Sequence, residues 1–116
     1  MMREYLHALA RGGGLLLALL SLAPLRAEQW PVAPELWDRP RSARAVLDQA
    51  VIRGAIRQHL EHPGSRIVIH HGYGQMPLLQ AEELRAWLMA LAVDAVQLNL
   101  RNDVRPDEAL KIEVMK

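Results

Sequence analysis

The chain has 116 residues, no cysteine and a formal net charge of +1 at neutral pH. Hydrophobic residues make up 51% of it and charged residues 23%, which is typical of a protein that folds around its own apolar core. The near-neutral balance excludes a broad basic footprint for nucleic acid. Because disulfides are excluded as well, a small domain of this sequence must rely on hydrophobic burial alone.

The first 27 residues have the layout of a secretory signal peptide. Arg3 and Arg11 supply the positive region, residues 15–22 read LLLALLSL, and Ala27 offers a small residue for cleavage before Glu28. The apolar run is far shorter than the roughly 20 residues that a membrane-spanning helix needs. We therefore expect export and cleavage, with a retained anchor as the alternative. No cysteine follows the apolar run, which excludes a lipoprotein.

Cleavage at this point leaves residues 28–116, which are enough for one small domain. Three of the 14 Lys and Arg residues and one of the 13 Asp and Glu residues lie in the signal, so 11 basic and 12 acidic residues remain. The mature chain is thus close to neutral. We expect no nucleic-acid partner, and contact with a membrane only through the signal before cleavage.

The mature chain begins with a segment, residues 28–42, that contains three prolines and two tryptophans without periodicity. This pattern predicts an irregular segment, which Trp30 and Trp37 pin onto the domain. A single α/β domain over residues 43–116 follows. Its first residues, 43–47, fit either an edge strand or the entry to a helix.

Helical periodicity then alternates with strand patterns. Residues 49–61 predict a helix with Asp48 as its N-cap, and Pro63-Gly64 ends it. The run IVIH at residues 67–70 predicts a buried strand. A second helix is expected to start near Pro77, and its predicted buried stripe consists of Leu78, Ala81, Leu84, Leu88 and Leu91.

Two further strands complete the order. Residues 95–100 alternate with Val96, Leu98 and Leu100 on the buried side, and residues 101–107 predict a charged turn. Residues 110–114 alternate again and predict the last strand. The order predicts a two-layer α/β (α+β) fold, a small mixed βαβαβ-type sheet with two helices on one face.

Three segments resemble the C-terminal domain of the OmpA-like family. They are HLEHPGSRIVIHH, a helix running through a proline into a strand, QAEELRAWLMALAV (residues 80–93), and LKIEV (residues 110–114). The resemblance covers residues 43–116 and implies the OmpA-like fold in a cell envelope. Members bind peptidoglycan through an Asp after the first buried strand and an Arg early in the second helix. Here Gln80 stands at the Arg position, and His71-Gly72-Tyr73-Gly74 offers no Asp.

Residues 71–74 lie between a strand and a helix N-terminus, where glycines let a ligand approach the backbone and anions are attracted. We therefore predict a ligand site at His71, Gly72, Tyr73 and Gly74, against the alternative of a simple chain-reversing turn. The family resemblance adds Gln80, at the Arg position, to this site. Four histidines, His59, His62, His70 and His71, raise the alternative of a metal site, but the predicted αβ connection puts the two pairs at opposite ends of one strand.

No nucleophile lies in a catalytic context, so we expect no enzyme, no catalytic residues, no bound metal and no cofactor. The sequence thus favours an exported periplasmic binding or accessory module that contacts an envelope protein or, weakly, peptidoglycan. The alternative is a small periplasmic protein that binds a metal or ligand through its histidines.

Overall fold

The computed structural model describes residues 28–116, and the predicted signal peptide over residues 1–27 lies outside the described residues. Four strands and three helices follow one another along the described chain in the order β1 Gln29–Pro31, α1 Ala43–Leu47, α2 Ala50–Glu61, β2 Arg66–Gly72, α3 Gln75–Ala90, β3 Leu98–Val104 and β4 Lys111–Met115. Two short 3-10 turns, Pro34–Asp38 and Ala95–Gln97, connect them.

The strands form one mixed sheet in the order β1-β4-β2-β3. β2 and β3 run parallel, because α3 carries the chain back between them, whereas β4 is antiparallel to β2 and β1. α2 lies against β4 and β2, and α3 lies against β2 and β3. The predicted small α+β fold, with a mixed sheet and two main helices, is confirmed.

The apolar core lies between the two main helices and the sheet. Ile67 and Ile69 of β2, Ile112 of β4, and Leu84 and Leu88 of α3 are all fully buried. Burying a side chain of this kind contributes roughly 1.5–3 kcal/mol relative to leaving it exposed. The two helices and the two inner strands are therefore the elements that hydrophobic periodicity predicts best.

The segment 28–42 contributes more order than its prolines predict. Residues 29–31 pair with β4 as an edge strand, where the missing N–H of Pro31 is tolerated. Trp30 and Trp37 pack, partly buried, against the core, as predicted. The segment is therefore part of the fold and closes one edge of the sheet.

The first helices also begin differently from the prediction. Residues 43–47 form a short helix that Ser42 caps, since its side chain accepts a hydrogen bond from the Ala45 N–H at 3.1 Å. Asp48 is the C-cap of this helix, and Gln49 is the N-cap of α2. Asp48 as the N-cap of the long helix was therefore wrong, because a second helix ends at that residue.

Two predicted positions on the core side of the domain were wrong. Val96 is 83% exposed in a 3-10 turn, and the strand begins only at Leu98, where pairing with Ile67 of β2 sets its register. β3 then continues to Val104 through the predicted charged turn, because an edge strand with one uncovered face accepts charged residues. On α3, Leu78 is 42% exposed, whereas Ala81, Leu84 and Leu88 form the buried stripe as predicted.

Candidate functional site

The side of the sheet away from the helices carries a buried polar network centred on His70. Along β2, Ile67 and Ile69 belong to the core cluster, so Val68 and His70 point to the opposite side. His70 is nevertheless only 1% exposed. Its Nδ1 lies 2.8 and 2.9 Å from the two carboxylate oxygens of Asp103 in β3, and its Nε2 lies 2.7 Å from Oε1 of Glu113 in β4. One imidazole thus joins three strands.

A β-bulge directs Asp103 into this network. The register of β2 and β3 pairs His71 with Asn102 but Gly72 with Val104, so Asp103 is the extra residue of the bulge. A Cβ on Gly72 would lie 3.2 Å from the Val104 carbonyl oxygen and 3.5 Å from that of Arg105. Glycine at this position therefore lets β3 approach closely while its bulge turns the carboxylate toward the ring.

The contacts of His70 in this network leave it unsuited to general-base catalysis and to metal binding. Both ring nitrogens are engaged, so neither is free to act as a general base or to activate a nucleophile. The two nitrogens lie on opposite sides of the ring, so Asp103 and Glu113 do not converge with it on one metal ion. Among residues 28–116, no group of three or more His, Cys, Asp or Glu side chains is arranged to hold a metal.

The other histidines occupy separate environments. His59 Nδ1 lies 2.8 Å from the hydroxyl oxygen of Ser65, and this contact closes the turn between α2 and β2. His62 is exposed beside it. At the far end of β2, His71 donates from Nδ1 to the carbonyl oxygen of Gly72 at 3.0 Å and is 6% exposed. The two histidine pairs therefore lie at opposite ends of β2, and His70 and His71 lie on opposite faces of the sheet.

The predicted ligand site lies beside a cleft of about 410 Å³ at the end of β2 where the chain enters α3. Gly72 and Gln80 both line this cleft, so the fold brings these two predicted residues together. The remaining wall comes from the N-terminal segment, the first turn of α3 and the connection between β3 and β4. It consists of Val32, Pro34, Trp37, Asp38, Pro77, Pro106, Asp107, Glu108, Ala109 and Leu110.

The other three predicted residues flank the cleft. Tyr73 is 78% exposed beside it, and His71 turns its ring away into the helix side of the sheet. Gly74 is the N-cap of α3 with φ +105°, a left-handed conformation that favours glycine. The turn from β2 into α3 therefore depends on Gly74, whereas the cleft wall depends on Gly72 and Gln80.

The charge of the cleft opposes the attraction for anions expected of a helix N-terminus. Asp38, Asp107 and Glu108 all line it, while the wall contains no Lys or Arg. Pro77, in the first turn of α3, has no N–H to offer an anion. An ion pair with Lys111, at 2.7 Å from Nζ to Oε2, lowers the pKa of Glu108 through its hydrogen bond, so this carboxylate stays ionised. Since Lys111 already neutralises Glu108, the negative charge that favours cationic groups in the cleft comes from Asp38 and Asp107.

An ion pair fixes the cleft wall formed by the N-terminal segment. Arg41 donates from Nε and Nη2 to the two oxygens of Glu83 on α3, at 2.7 and 2.8 Å, and its guanidinium lies 5.4 Å from the ring centre of Trp37. Trp87 also donates to Glu83, at 3.2 Å. The hydrogen bond from Arg41 is the main reason why the pKa of Glu83 is lowered. Glu83 therefore joins the N-terminal segment to α3.

Comparisons of the chain with protein-family models, with curated proteins and with solved structures find no match. In the described part of the chain, no helix is long and apolar enough to cross a membrane. The cleft and the His70 network are the candidate functional features of the described residues. The network was missed at the sequence level, because Asp103 and Glu113 lie 33 and 43 residues from His70 and no local spacing joins them.

Proposed function

We propose that the protein is an exported, non-catalytic binding module of a Gram-negative cell envelope that contacts an envelope protein through the cleft at the end of β2. One observation carries the proposal: the cleft gathers Gly72 and Gln80 with a half-buried tryptophan and three carboxylates at one edge of the sheet. The signal layout of residues 1–27 supplies the compartment. The engaged nitrogens of His70 support a role without catalysis.

The composition of the cleft wall favours a cationic, partly aliphatic ligand. Asp38 and Asp107 supply the negative charge, since Glu108 is already paired with Lys111, and Trp37 offers an aromatic surface on which a Lys or Arg stem can pack. An exposed segment of a partner protein that carries Lys or Arg has this chemistry. The stem peptide of peptidoglycan also presents carboxylates, which the acidic wall repels. An envelope protein is therefore the favoured partner and the cell wall the weaker one.

Site-specific photo-crosslinking in living cells tests the proposal. A photoreactive residue at position 73 lies beside the cleft, and the same residue at position 96 is a matched control, since Tyr73 and Val96 are about equally exposed, at 78% and 83%. We expect one saturable adduct from position 73 in the periplasmic fraction and none from position 96. The adduct should weaken in the variant that combines Asp38→Asn with Asp107→Asn.

Equal adducts from both positions, or a full-length chain in the cytosol, would contradict the proposal. Co-sedimentation with isolated sacculi tests the weaker partner. We expect little binding by the native chain and a gain when Gln80→Arg is combined with Tyr73→Asp, which restores the charges of the family's pattern. Tyr73 is chosen because a side chain at Gly72 would crowd the Val104 carbonyl oxygen. Strong, saturable binding of the native chain would make cell wall the main partner.

A further inference from the structure

We propose that the Asp103–His70–Glu113 network is a proton-dependent latch that holds the end of β3 and, through it, one wall of the cleft. Ionised carboxylates only accept hydrogen bonds. His70 lies within 2.9 Å of carboxylate oxygens on both ring nitrogens, so the complete network needs two bridging protons. When the ring donates from both nitrogens, it is an imidazolium between two carboxylates.

Loss of one of these protons breaks the network at a defined place. One ring nitrogen then presents a lone pair to a carboxylate, and that contact becomes repulsive. The Asp103 side chain is 49% exposed and gains water when it leaves, whereas the Glu113 side chain is only 9% exposed. The neutral ring therefore keeps its hydrogen bond to Glu113 and releases Asp103.

The position of Asp103 in the fold turns this local change into a larger one. It is the bulge residue of an edge strand, so β2 holds it through the side-chain contact rather than through the regular ladder. The chain continues from Val104 directly into the connection whose residues Pro106, Asp107 and Glu108 line the cleft. Release of Asp103 therefore loosens the attachment of this wall to the sheet.

Other charged groups share this face of the sheet. Arg66 lies on β2 itself, and the register neighbours of His70 are Arg101 on β3 and Lys111 on β4. Arg101 reaches across β2 to the sulfur of Met115, at 4.0 Å, and Lys111 pairs with Glu108. The helices lie on the opposite face. The two carboxylates are thus the charged groups in direct contact with the ring. Through its ion pair with Glu108, Lys111 also links this face of the sheet to the connection between β3 and β4.

Nuclear magnetic resonance of the mature protein tests the latch without any ligand. The ring nitrogen signals of His70 report its protonation, and hydrogen-exchange protection factors report the opening of the backbone at the amide of Val104 and at the amide of Glu108, which donates to the Arg105 carbonyl oxygen at 3.0 Å. As pH rises, we expect protection to fall by about tenfold, the effect of losing one charge-assisted hydrogen bond. The fall should share its midpoint with the deprotonation of His70, and the amides of Ile67 and Ile69 should keep their protection.

Two variants make the test specific. In Asp103→Asn, the amide oxygen accepts from Nδ1 of the charged ring and the amide nitrogen donates to the bare Nδ1 of the neutral ring, so protection should no longer follow His70. In Asp107→Asn, which alters a cleft carboxylate outside the network, the linkage should persist. Protection factors that do not change as His70 loses its proton would overturn the latch. A ring whose protonation stays constant until the protein unfolds would overturn it as well. Only the consequence for ligand capture rests on the proposed function, so the two can fail separately.

Discussion

On the helix side of the sheet, Ile67 and Ile69 of β2 are buried beneath α2 and α3, whereas Val68 and His70 of the same strand point to the other side and are equally buried. The helix side is sealed by apolar packing, which is non-directional and tolerates swaps of similar volume. The opposite side depends on polar groups that satisfy one another. β2 is therefore held by apolar packing on one side and by polar contacts on the other, and the two sides should respond differently to substitution.

The largest effect is expected where one member of the polar network is removed. In His70→Val, Glu113 stays buried without its partner, and breaking a buried pair in this way costs roughly 3–5 kcal/mol of unfolding free energy. Denaturant unfolding measures the change. His62→Val is the matched control, since His62 is exposed, and it should cost less than about 0.5 kcal/mol. If the two substitutions cost the same, the network would not be what stabilises this side of the sheet.

The helix side should respond as an ordinary apolar core. Leu88 on α3 is fully buried, so Leu88→Ala should cost about 2–5 kcal/mol through lost burial and the cavity it leaves. Leu79 on the same helix is 53% exposed, and Leu79→Ala should change stability by less than about 0.5 kcal/mol. Thermal melts of the two variants check the phase of the helix. A larger loss from Leu79→Ala would mean that α3 turns a different face to the sheet.

A smaller effect is expected at the surface, where Arg41 and Glu83 join the N-terminal segment to α3. The pKa of Glu83 lies below its ordinary value of 4.5 in the folded protein, chiefly because Arg41 donates to it. Its contribution to stability is therefore fully present above that ordinary pKa and is lost as pH falls through the lowered one. Glu83→Gln should cost up to about 1 kcal/mol at neutral pH and progressively less in acid.

Free energies of unfolding measured between pH 7 and pH 3 test whether the cost of Glu83→Gln falls in acid. Glu82 is the neighbouring carboxylate on the exposed face of α3, so the effect of Glu82→Gln should stay near zero throughout. If the difference between the native chain and Glu83→Gln grew in acid, the ion pair would not be the source of the stabilisation.

The sequence predicts best those elements whose pattern is decided locally. Helical spacing indicates the stripe of Ala81, Leu84 and Leu88, and strict alternation indicates the strand at residues 110–114. The buried run at residues 67–70 is indicated by its β-branched residues and by the glycines on either side of it. Gly72 was placed in the predicted ligand site because a strand end, a glycine turn and a helix start follow one another along the chain, whereas Gln80 was added through the OmpA-like resemblance. These features need no knowledge of distant residues.

Features that depend on contacts between residues far apart in the chain could not be predicted from the sequence. Residues 29–31 pair with β4 at the other end of the described residues, and three residues that include a proline carry no strand signal of their own. The partners of His70 lie on two other strands, and the bulge that directs Asp103 inward arises only when β2 and β3 pair. A polar residue at the end of a buried strand was the one visible sign of the network.

A double-mutant cycle with His70→Val and Glu113→Val tests most directly that the face without helices is held by polar groups that need one another. We expect each single variant to lose stability and the double variant to be more stable than at least one of them, because it leaves no buried polar group without a partner. The coupling measured by denaturant unfolding should exceed about 1 kcal/mol. Strictly additive losses would contradict the network and would assign His70 and Glu113 independent roles in the sheet.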